Sequence, residues 1–319
     1  MLFRSRRIAL NASLSFDASV QQLVQLLSGR TIFVVPQKSR WDASMLLSFL
    51  DENQIDGIDC TPSQLKSWIS AGFLKRNRHQ LQMALVGGEA IDAELWSALA
   101  QHSEMDFYNV YGPTECTVDA TVAHPKDDTT GPHIGRPMSN RRVYILGRYS
   151  QAVPIGVVGD IYIGGAGVAR GYLNQPQLTA ERFIADPFSA DPQARLYKTG
   201  DLGRWRSDGT IEYLGRNDDQ VKIRGYRIEL GEIEAHLARH ERVKAAVVVA
   251  REDVPGEKRL VAYVIPQAPT DAEAVPSVET LRAHLQAILP EYMVPNAFVI
   301  LTCFPLYMEI GRASCRERV

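Results

Sequence analysis

Segments with helical spacing alternate with short apolar runs along the first third of the chain, and this alternation limits the fold more than any other feature. Val20, Leu23 and Leu27 recur at the spacing of one helix face, and Gly29 follows them, so a helix is expected that ends at the glycine. The run TIFVVP at 31–36 then predicts a buried strand that stops at a proline.

The same alternation continues as far as the segment NVYGPTE. Helices are predicted near 42–52, near 62–75 and over IDAELWSALAQH, and strands are predicted at 55–60, over LQMALVGG (81–88) and over DFYNVYG. Strands that alternate with helices favour a parallel sheet covered by helices. Ligands of such sheets bind beyond the carboxyl ends of the strands, where ALVGGEA and NVYGPTE both place turns.

The pattern changes near residue 140, and a third region begins near 217. Short runs separated by turn residues predict antiparallel, barrel-like structure; they are RRVYIL, GDIYIGG, RLYKTGD and GTIEYLGR. A compact α+β unit follows GRNDDQ, with strands at 245–250 and 259–265 and a helix whose apolar face carries Leu281, Leu285 and Ile288. The expected class is α/β with a small α+β C-terminal subdomain.

Composition excludes several classes of function. The 319 residues are 45% apolar with a net charge of −2, which gives no electrostatic case for binding nucleic acid or an anionic membrane. The longest apolar runs are far too short to span a bilayer, and the N-terminus lacks the apolar core of a secretory signal. Four scattered cysteines form no metal-ligand or redox motif, so a reduced cytoplasmic setting is expected.

The two ends of the chain have sequence patterns unlike those of the rest. The segments MLFRS (1–5) and EIGRASCRERV (309–319) fit translated sequencing adapters, and the second is basic without any periodic pattern. We therefore set both segments aside in reasoning about the fold and expect an internal piece of a longer protein.

Six motifs, in order and spacing, carry a resemblance to a known family. They are FDAS, NVYGPTE, GDIYIGGAGVARGYL, YKTGDLGRW, GRNDDQVKIRGYRIELGEIE and LPEYMVP. Together they resemble the core motifs of nonribosomal peptide synthetase adenylation domains, members of the adenylate-forming superfamily. The resemblance implies the C-terminal half of the large core subdomain at 6–216, and a small, mobile and incomplete subdomain at 217–308.

The resemblance implies a nucleotide site built from aromatic and charged side chains. Tyr111 and Tyr213 would flank adenine with their flat faces. Asp201 would accept hydrogen bonds from both ribose hydroxyls, with Arg216 close to the ribose, and Gly112 lies in the same nucleotide-binding turn.

Three further residues would serve the reaction itself. Thr114 would contact phosphate, Glu115 would hold Mg²⁺, and Asp218 would be the hinge of the mobile subdomain. The implied reaction converts an amino acid and ATP into an aminoacyl-AMP and then passes the acyl group to a phosphopantetheine thiol. The thiol belongs to a carrier domain expected downstream, and a condensation domain is expected upstream.

The implied amino-acid pocket contains several acids. Asp17 matches the position that pairs with the substrate's α-ammonium group, and the other pocket positions are Ala18, Gln21, Asp59, Leu85, Gly87, Val110, Val118 and Asp119. The pattern resembles glutamine-activating domains, and the chemistry agrees: Asp59 or Asp119 can accept from a carboxamide nitrogen, and Gln21 can donate to its oxygen. Glutamate and other side chains remain open.

Two family motifs are missing from these residues. A glycine-rich phosphate loop does not precede FDAS, and no Pro-Asn-Gly-Lys stretch follows PL at 305–306. Both normally neutralise charge in the adenylation step, so little or no adenylation is expected from this chain alone. Two alternatives stay open: an acyl- or aryl-CoA ligase of the same superfamily, and a non-catalytic nucleotide-binding fragment.

Overall fold

The computed structural model divides the chain into two units, Met1–Asp218 and Asp219–Val319. The residues that it describes are 7–74, 81–128, 130–254, 257–268 and 275–304. The suspected adapter segments and the stretch after PL lie outside them. The domain ranges expected from the sequence stay a prediction.

The first unit begins with a sheet covered by helices. Its elements, in chain order, are β1 (Arg7–Leu10), α1 (Asp17–Leu23), β2 (Thr31–Val34), α2 (Gln37–Trp41), α3 (Ala43–Glu52), β3 (Gly57–Cys60), α4 (Pro62–Ser70), β4 (Met83–Gly87), α5 (Ala93–Gln101), β5 (Asp106–Tyr111), β6 (Thr121–Ala123) and β7 (Arg136–Pro137). The strand order is β2-β1-β3-β4-β5-β6-β7. The first five strands pair in parallel and the last two are antiparallel, which confirms the predicted parallel sheet.

Capping residues in the local sequence determine where the helices start, and packing in the hydrophobic core stabilises the helices. Asp42 and Asp92 cap α3 and α5 by accepting from main-chain N–H groups, and Thr61 forms a full capping box with Gln64 at the start of α4. The apolar faces of these helices fill the space over the sheet, and Trp96 is 1% exposed. This packing fixes the carboxyl ends of β3, β4 and β5 next to one another at the same edge of the sheet.

The strand expected at 31–36 forms at Thr31–Val34, but the expectation that this strand is buried was wrong. Among the described residues β2 pairs only with β1 and forms the edge of the sheet, and Val34 is 64% exposed. The helix expected to end at Gly29 is also shorter, because α1 stops at Leu23 and a 3₁₀ turn, Val24–Ser28, leads to the glycine. Leu27 on that turn is 88% exposed, so the apolar spacing there does not mark a core face.

The rest of the first unit is an antiparallel sheet, as predicted. Its elements are β8 (Arg141–Leu146), β9 (Gly159–Gly165), α6 (Pro176–Arg182), β10 (Phe183–Ala185), β11 (Arg195–Trp205) and β12 (Ile211–Arg216). The order is β10-β11-β9-β8, and β12 pairs with β11. The C-terminal half of β11 therefore lies beside β12, with Asp201 opposite Arg216 and Trp205 opposite Ile211.

The second unit has its own core and is α+β, as predicted. It contains β13 (Gln220–Ile223), β14 (Tyr226–Glu229), α7 (Leu230–Ala238), β15 (Val243–Val254), β16 (Glu257–Pro266), α8 (Val278–Gln286) and β17 (Ala297–Ile300). Leu281 and Leu285 of α8 are fully buried against this sheet. Ile288 lies beyond the end of α8 and is 50% exposed, so its assignment to the buried face was wrong.

None of the helices in the described ranges is long and apolar enough to cross a membrane.

Candidate active site

Four of the predicted nucleotide residues meet at the carboxylate of Asp201. The Tyr111 hydroxyl donates to its Oδ2 at 2.6 Å, and Arg216 Nη1 donates to its Oδ1 at 2.9 Å. The Tyr213 hydroxyl lies 3.5 Å from Oδ1. Asp201 itself is 3% exposed, so this carboxylate is buried, paired and hydrogen-bonded at both oxygens.

Strand register explains this convergence. Asp201 on β11 pairs with Arg216 on β12, and Gly203 pairs with Tyr213. A register shift between Asp201 and Gly203 marks a bulge, which turns the strand locally. The two β12 side chains thereby both reach Oδ1 of one carboxylate, although they are three residues apart in sequence.

The two tyrosines are held in an apolar setting. Burial, together with the nearby Asp201 charge, raises the pKa of both phenols, so both remain neutral hydrogen-bond donors. Their ring centroids are 6.1 Å apart at an interplanar angle of 47°. A flat ring inserted between two others needs about 7 Å, because carbon atoms pack at about 3.5–4.0 Å. Adenine therefore has room to stack on one of the two tyrosine rings. For both rings to contact adenine at once, one of them must rotate.

Arg216 links Asp201 to the predicted hinge residue. Its Nε and Nη2 donate to the two Asp218 oxygens at 2.6 and 2.7 Å, and Nη2 also donates to the Thr199 carbonyl at 3.1 Å. Gly200 makes room for this: its φ is +79°, and a Cβ there would lie 2.4 Å from Asp218 Oδ2. The guanidinium thus bridges two carboxylates within the first unit, and the hinge role of Asp218 stays a prediction.

The turn after β5 is tight and strained. A Cβ on Gly112 would lie 2.1 Å from the Val118 carbonyl oxygen, so this position requires glycine. Thr117 and Val118 have φ values of +62° and +65°, a conformation that is costly for β-branched residues. The Ala120 N–H closes the turn on the Tyr111 carbonyl at 2.8 Å. The chain after Thr117 is therefore carried back beside the end of β5.

Glu115 is buried, and a tyrosine that the sequence analysis did not single out holds it. The Tyr172 hydroxyl donates to Glu115 Oε1 at 2.6 Å and lies 3.2 Å from the Tyr197 hydroxyl. The Ala169 N–H donates to the Glu115 carbonyl at 2.8 Å. Tyr172 belongs to the quoted motif GDIYIGGAGVARGYL, which was the available signal, although nothing in the spacing showed its partner.

The donor set at Glu115 fits Mg²⁺ in one particular way. The described residues contain no group of three or more His, Cys, Asp or Glu that could cage a metal. Mg²⁺ commonly binds through one or two carboxylates plus substrate phosphates and waters. The single buried carboxylate of Glu115 meets that requirement, provided that a nucleotide supplies the other oxygens.

Two contacts tie the amino-acid positions together. The Thr114 hydroxyl donates to Asp17 Oδ2, which joins the nucleotide turn to the start of α1. Gln21, one helical turn further, donates through Nε2 to Asp119 Oδ2 at 2.8 Å. Burial raises the pKa of Asp119 to about 6, against the Gln21 hydrogen bond and with the help of the Asp17 charge. Ala18 is half-buried beside Asp17 on α1.

The remaining predicted pocket positions form one patch on the sheet. Asp59 of β3 is in register with Leu85 of β4, and Gly87 is in register with Val110 of β5. Side chains two residues apart on a strand share a face, so these four positions lie on the same side of the sheet at its carboxyl end. A Cβ on Gly87 would lie 2.8 Å from two Val110 atoms, so glycine permits the close approach.

The carboxyl group of Asp59, which belongs to this patch, has a strongly shifted pKa. Burial and the charge of Asp119 raise its pKa to about 7, while a hydrogen bond from Gln22 opposes the rise. Gln22 was not singled out by the sequence analysis, because the pattern marked only its neighbour Gln21. The influence of Asp17 on Asp119, and of Asp119 on Asp59, shows that three acids share one electrostatic environment.

Comparison with known proteins identifies the class. Residues 3–173 match the family described as AMP-binding enzyme, and residues 232–307 match the AMP-binding enzyme C-terminal domain. The chain therefore belongs to the AMP-binding enzyme family.

Individual relatives agree with this class. The chain is 42% identical over 302 residues to the dimodular nonribosomal peptide synthase of Bacillus subtilis, covering 94% of this chain and 12% of that synthase. It resembles NpsA-ThdA, an artificially fused adenylation–PCP di-domain synthetase from Klebsiella oxytoca, with a TM-score of 0.76 and 27% identity over 92% of this chain and 57% of that one. A four-domain nonribosomal peptide synthetase bound to AMP and glycine matches with a TM-score of 0.61 and 35% identity, covering 94% of this chain and 22% of that one. These matches confirm the predicted adenylate-forming α/β fold.

Proposed function

We propose that the protein contributes to the ATP-dependent activation of L-glutamine as glutaminyl-AMP, in preparation for transfer to a carrier-domain phosphopantetheine thiol. The observation that carries the proposal is the hydrogen bond between Thr114 and Asp17. It puts a carboxylate suited to an α-ammonium group against the same turn that presents Tyr111 to Asp201. An amine-binding acid and a nucleoside-binding acid are thus both hydrogen-bonded to the segment at the end of β5, through Thr114 and Tyr111.

In the nucleotide half, Asp201 is the acceptor for the ribose hydroxyls. Its buried carboxylate is paired with Arg216, and the neutral Tyr111 phenol is the group that a ribose hydroxyl would replace. The tyrosine rings supply the apolar surface for adenine. Positioning of this kind accounts for much of the catalysis when two anions must be brought together.

Glu115 is the residue that would hold Mg²⁺. The bound ion would neutralise charge on the phosphates during attack by the amino-acid carboxylate. Tyr172 and the Ala169 N–H keep the Glu115 side chain and main chain in place, so its carboxylate is oriented before any ligand arrives.

The pocket acids favour a substrate with one cationic and one amide group. Asp17 is half-buried and offers a carboxylate to the α-ammonium group. Asp59 accepts from the side-chain carboxamide, and Gln21, which uses one N–H on Asp119, has a second N–H for the carboxamide oxygen. Glutamate would bring a third carboxylate to Asp59 and Asp119, so it should bind less well.

The relatives support the amino-acid class. One neighbour at 35% identity is a synthetase bound to AMP and glycine, and the relative at 42% identity is a dimodular nonribosomal peptide synthase. Because the chain spans 12% of the length of that synthase, the downstream carrier domain, the upstream condensation domain and the hinge role of Asp218 are all parts of the proposal.

The test measures binding, which requires neither of the two phosphate-neutralising motifs discussed above. Calorimetry would compare the sulfamoyl analogue of glutaminyl-AMP with its des-amino form, with the glutamyl analogue and with an aryl analogue. We expect the glutaminyl compound to bind best, and the advantage of its amino group to disappear in Asp17→Asn. Tighter binding of the aryl compound would show a CoA-ligase-like pocket. Binding of AMP alone, with no gain from the glutaminyl group, would reduce the chain to a nucleotide-binding module.

A further inference from the structure

The side chain of Gln22 is fully engaged on the buried side of α1. Gln22 is 1% exposed. Its Oε1 accepts from the Ala12 N–H at 3.2 Å, and its Nε2 donates to Asn11 Oδ1 at 2.9 Å and to Asp59 Oδ2 at 3.1 Å. A flipped amide would set its oxygen against two acceptors, so this orientation is the one that satisfies every partner. One N–H of Gln22 is therefore aimed permanently at Asp59.

Asn11 binds the main chain of Asp59. Its Nδ2 donates to the Asp59 carbonyl at 2.7 Å while its Oδ1 accepts from Gln22. The two carboxamides thus connect the loop after β1, the helix α1 and the end of β3. Both the backbone and the carboxylate of Asp59 are fixed by groups that belong to other elements.

One oxygen of Asp59 remains for a ligand. Within the described part of the chain, Oδ2 accepts from Gln22 and no hydrogen bond reaches Oδ1. The titratable group that faces this carboxyl is Asp119, whose charge opposes ionisation. The next residue, Cys60, lies on the opposite face of β3, and burial and Asp59 raise the pKa of its thiol. Gln22 is the donor that favours the ionised form.

We propose that Gln22, with Asn11, is a positioning residue that presents the Asp59 carboxylate as the acceptor for the substrate's side-chain amide. The proposal rests on the function proposed above and adds a determinant outside the residues that line the pocket. With the Gln22 donor in place, Asp59 accepts an N–H and repels a carboxylate. Without it, Asp59 holds a proton more readily, and a protonated acid can donate to glutamate. Gln22 therefore controls the discrimination between glutamine and glutamate through Asp59.

The test compares two buried glutamines on the same segment. Gln22→Met keeps the length of the side chain and removes its hydrogen bonds. Gln25→Met is the matched control, because Gln25 is 8% exposed and bonds to the Gln21 carbonyl and to Arg30, not to Asp59. The whole chain, labelled with ¹³C-aspartate, is titrated by NMR, and Asp59→Asn assigns the resonance. We expect the Asp59 pKa to rise by about one unit or more in Gln22→Met, as loss of a hydrogen bond to a charged group predicts, and to stay unchanged in Gln25→Met.

A second measurement tests the link to specificity. At pH 8 the affinity ratio between the glutaminyl and glutamyl sulfamoyl-adenosines should fall about tenfold in Gln22→Met, because a one-unit change in pKa corresponds to a tenfold change in this ratio. In Gln25→Met the same ratio should equal that of the parent chain. An unchanged Asp59 titration in a folded Gln22→Met protein overturns the positioning role. A shifted titration with an unchanged ratio overturns the specificity role.

Two further outcomes remain decisive. If Gln22→Met does not fold, Gln22→Glu keeps the length and the Ala12 acceptor and sets a carboxyl against Asp59, so the Asp59 titration must move upward. If neither analogue binds the parent chain, the proposed function fails, while the NMR comparison still decides whether Gln22 positions Asp59.

Discussion

Replacement of Arg216 tests how much the buried ion pair with Asp201 stabilises the proposed nucleotide site. Arg216→Met keeps most of the aliphatic stem and removes the charge that faces Asp201. Both side chains are largely buried, with 10% and 4% of their surfaces exposed, and the N–O distance is 2.9 Å. The substitution therefore leaves a buried carboxylate without its cation.

The expected loss follows from that burial. Removing one partner of a buried ion pair costs ~3–5 kcal/mol, because the remaining charge has lost its hydration and its partner. The Tyr111 hydroxyl still donates to Asp201, so we expect the lower end, about 3 kcal/mol. With urea slopes of about 1–3 kcal/mol per molar, the unfolding midpoint should fall by about 1 M or more.

Urea unfolding followed by tryptophan fluorescence measures this loss, since all four tryptophans lie in the first unit. Arg204→Met is the matched control: Arg204 binds Glu212 at 2.8 Å, but the two side chains are 42% and 24% exposed, so little change is expected. The double variant Asp201→Asn/Arg216→Met should regain part of the stability, because the buried charge of Asp201 is removed, while Asp218, which also loses Arg216, is 25% exposed and lies 3.8 Å from Arg182. Equal midpoints for Arg216→Met and Arg204→Met would refute the reasoning.

Two further predictions concern other parts of the first unit. Because the folded-state pKa of Asp59 is raised to about 7 from its ordinary value of 3.8, its contribution to stability is complete below that lower value and is lost as the pH rises through about 7. Asp59→Asn should therefore become more stable relative to the parent by ~2–3 kcal/mol between pH 5 and pH 8, measured by urea unfolding at each pH, and a pH-independent difference would contradict the assigned shift. Leu27 is 88% exposed next to the edge strand β2, so Leu27→Lys should lower light scattering at high concentration without changing the unfolding midpoint; a lower midpoint would mean that Leu27 is packed.

The sequence predicted most of the elements, because their signals are local. Apolar periodicity, caps and turn residues lie within a few positions of one another, and these features indicated the parallel sheet, the antiparallel sheet and the α+β unit. The motifs likewise assigned Tyr111 and Asp201 to the same nucleotide site. The same local reasoning failed at Leu27 and at 31–36, because apolar spacing shows which side chains share a face and says nothing about whether another element covers that face.

The tertiary structure decided how distant residues meet. Tyr111 and Asp201 are 90 positions apart and Gln22 and Asp59 are 37 apart, yet each pair is hydrogen-bonded. Strand register and the packing of α1 over the sheet create these contacts, and neither is encoded in any short window of residues. The sequence alone determined which chemical groups the protein has and in which elements they sit. Only the folded chain determined that Gln22, rather than a residue marked by the motifs, is hydrogen-bonded to Asp59.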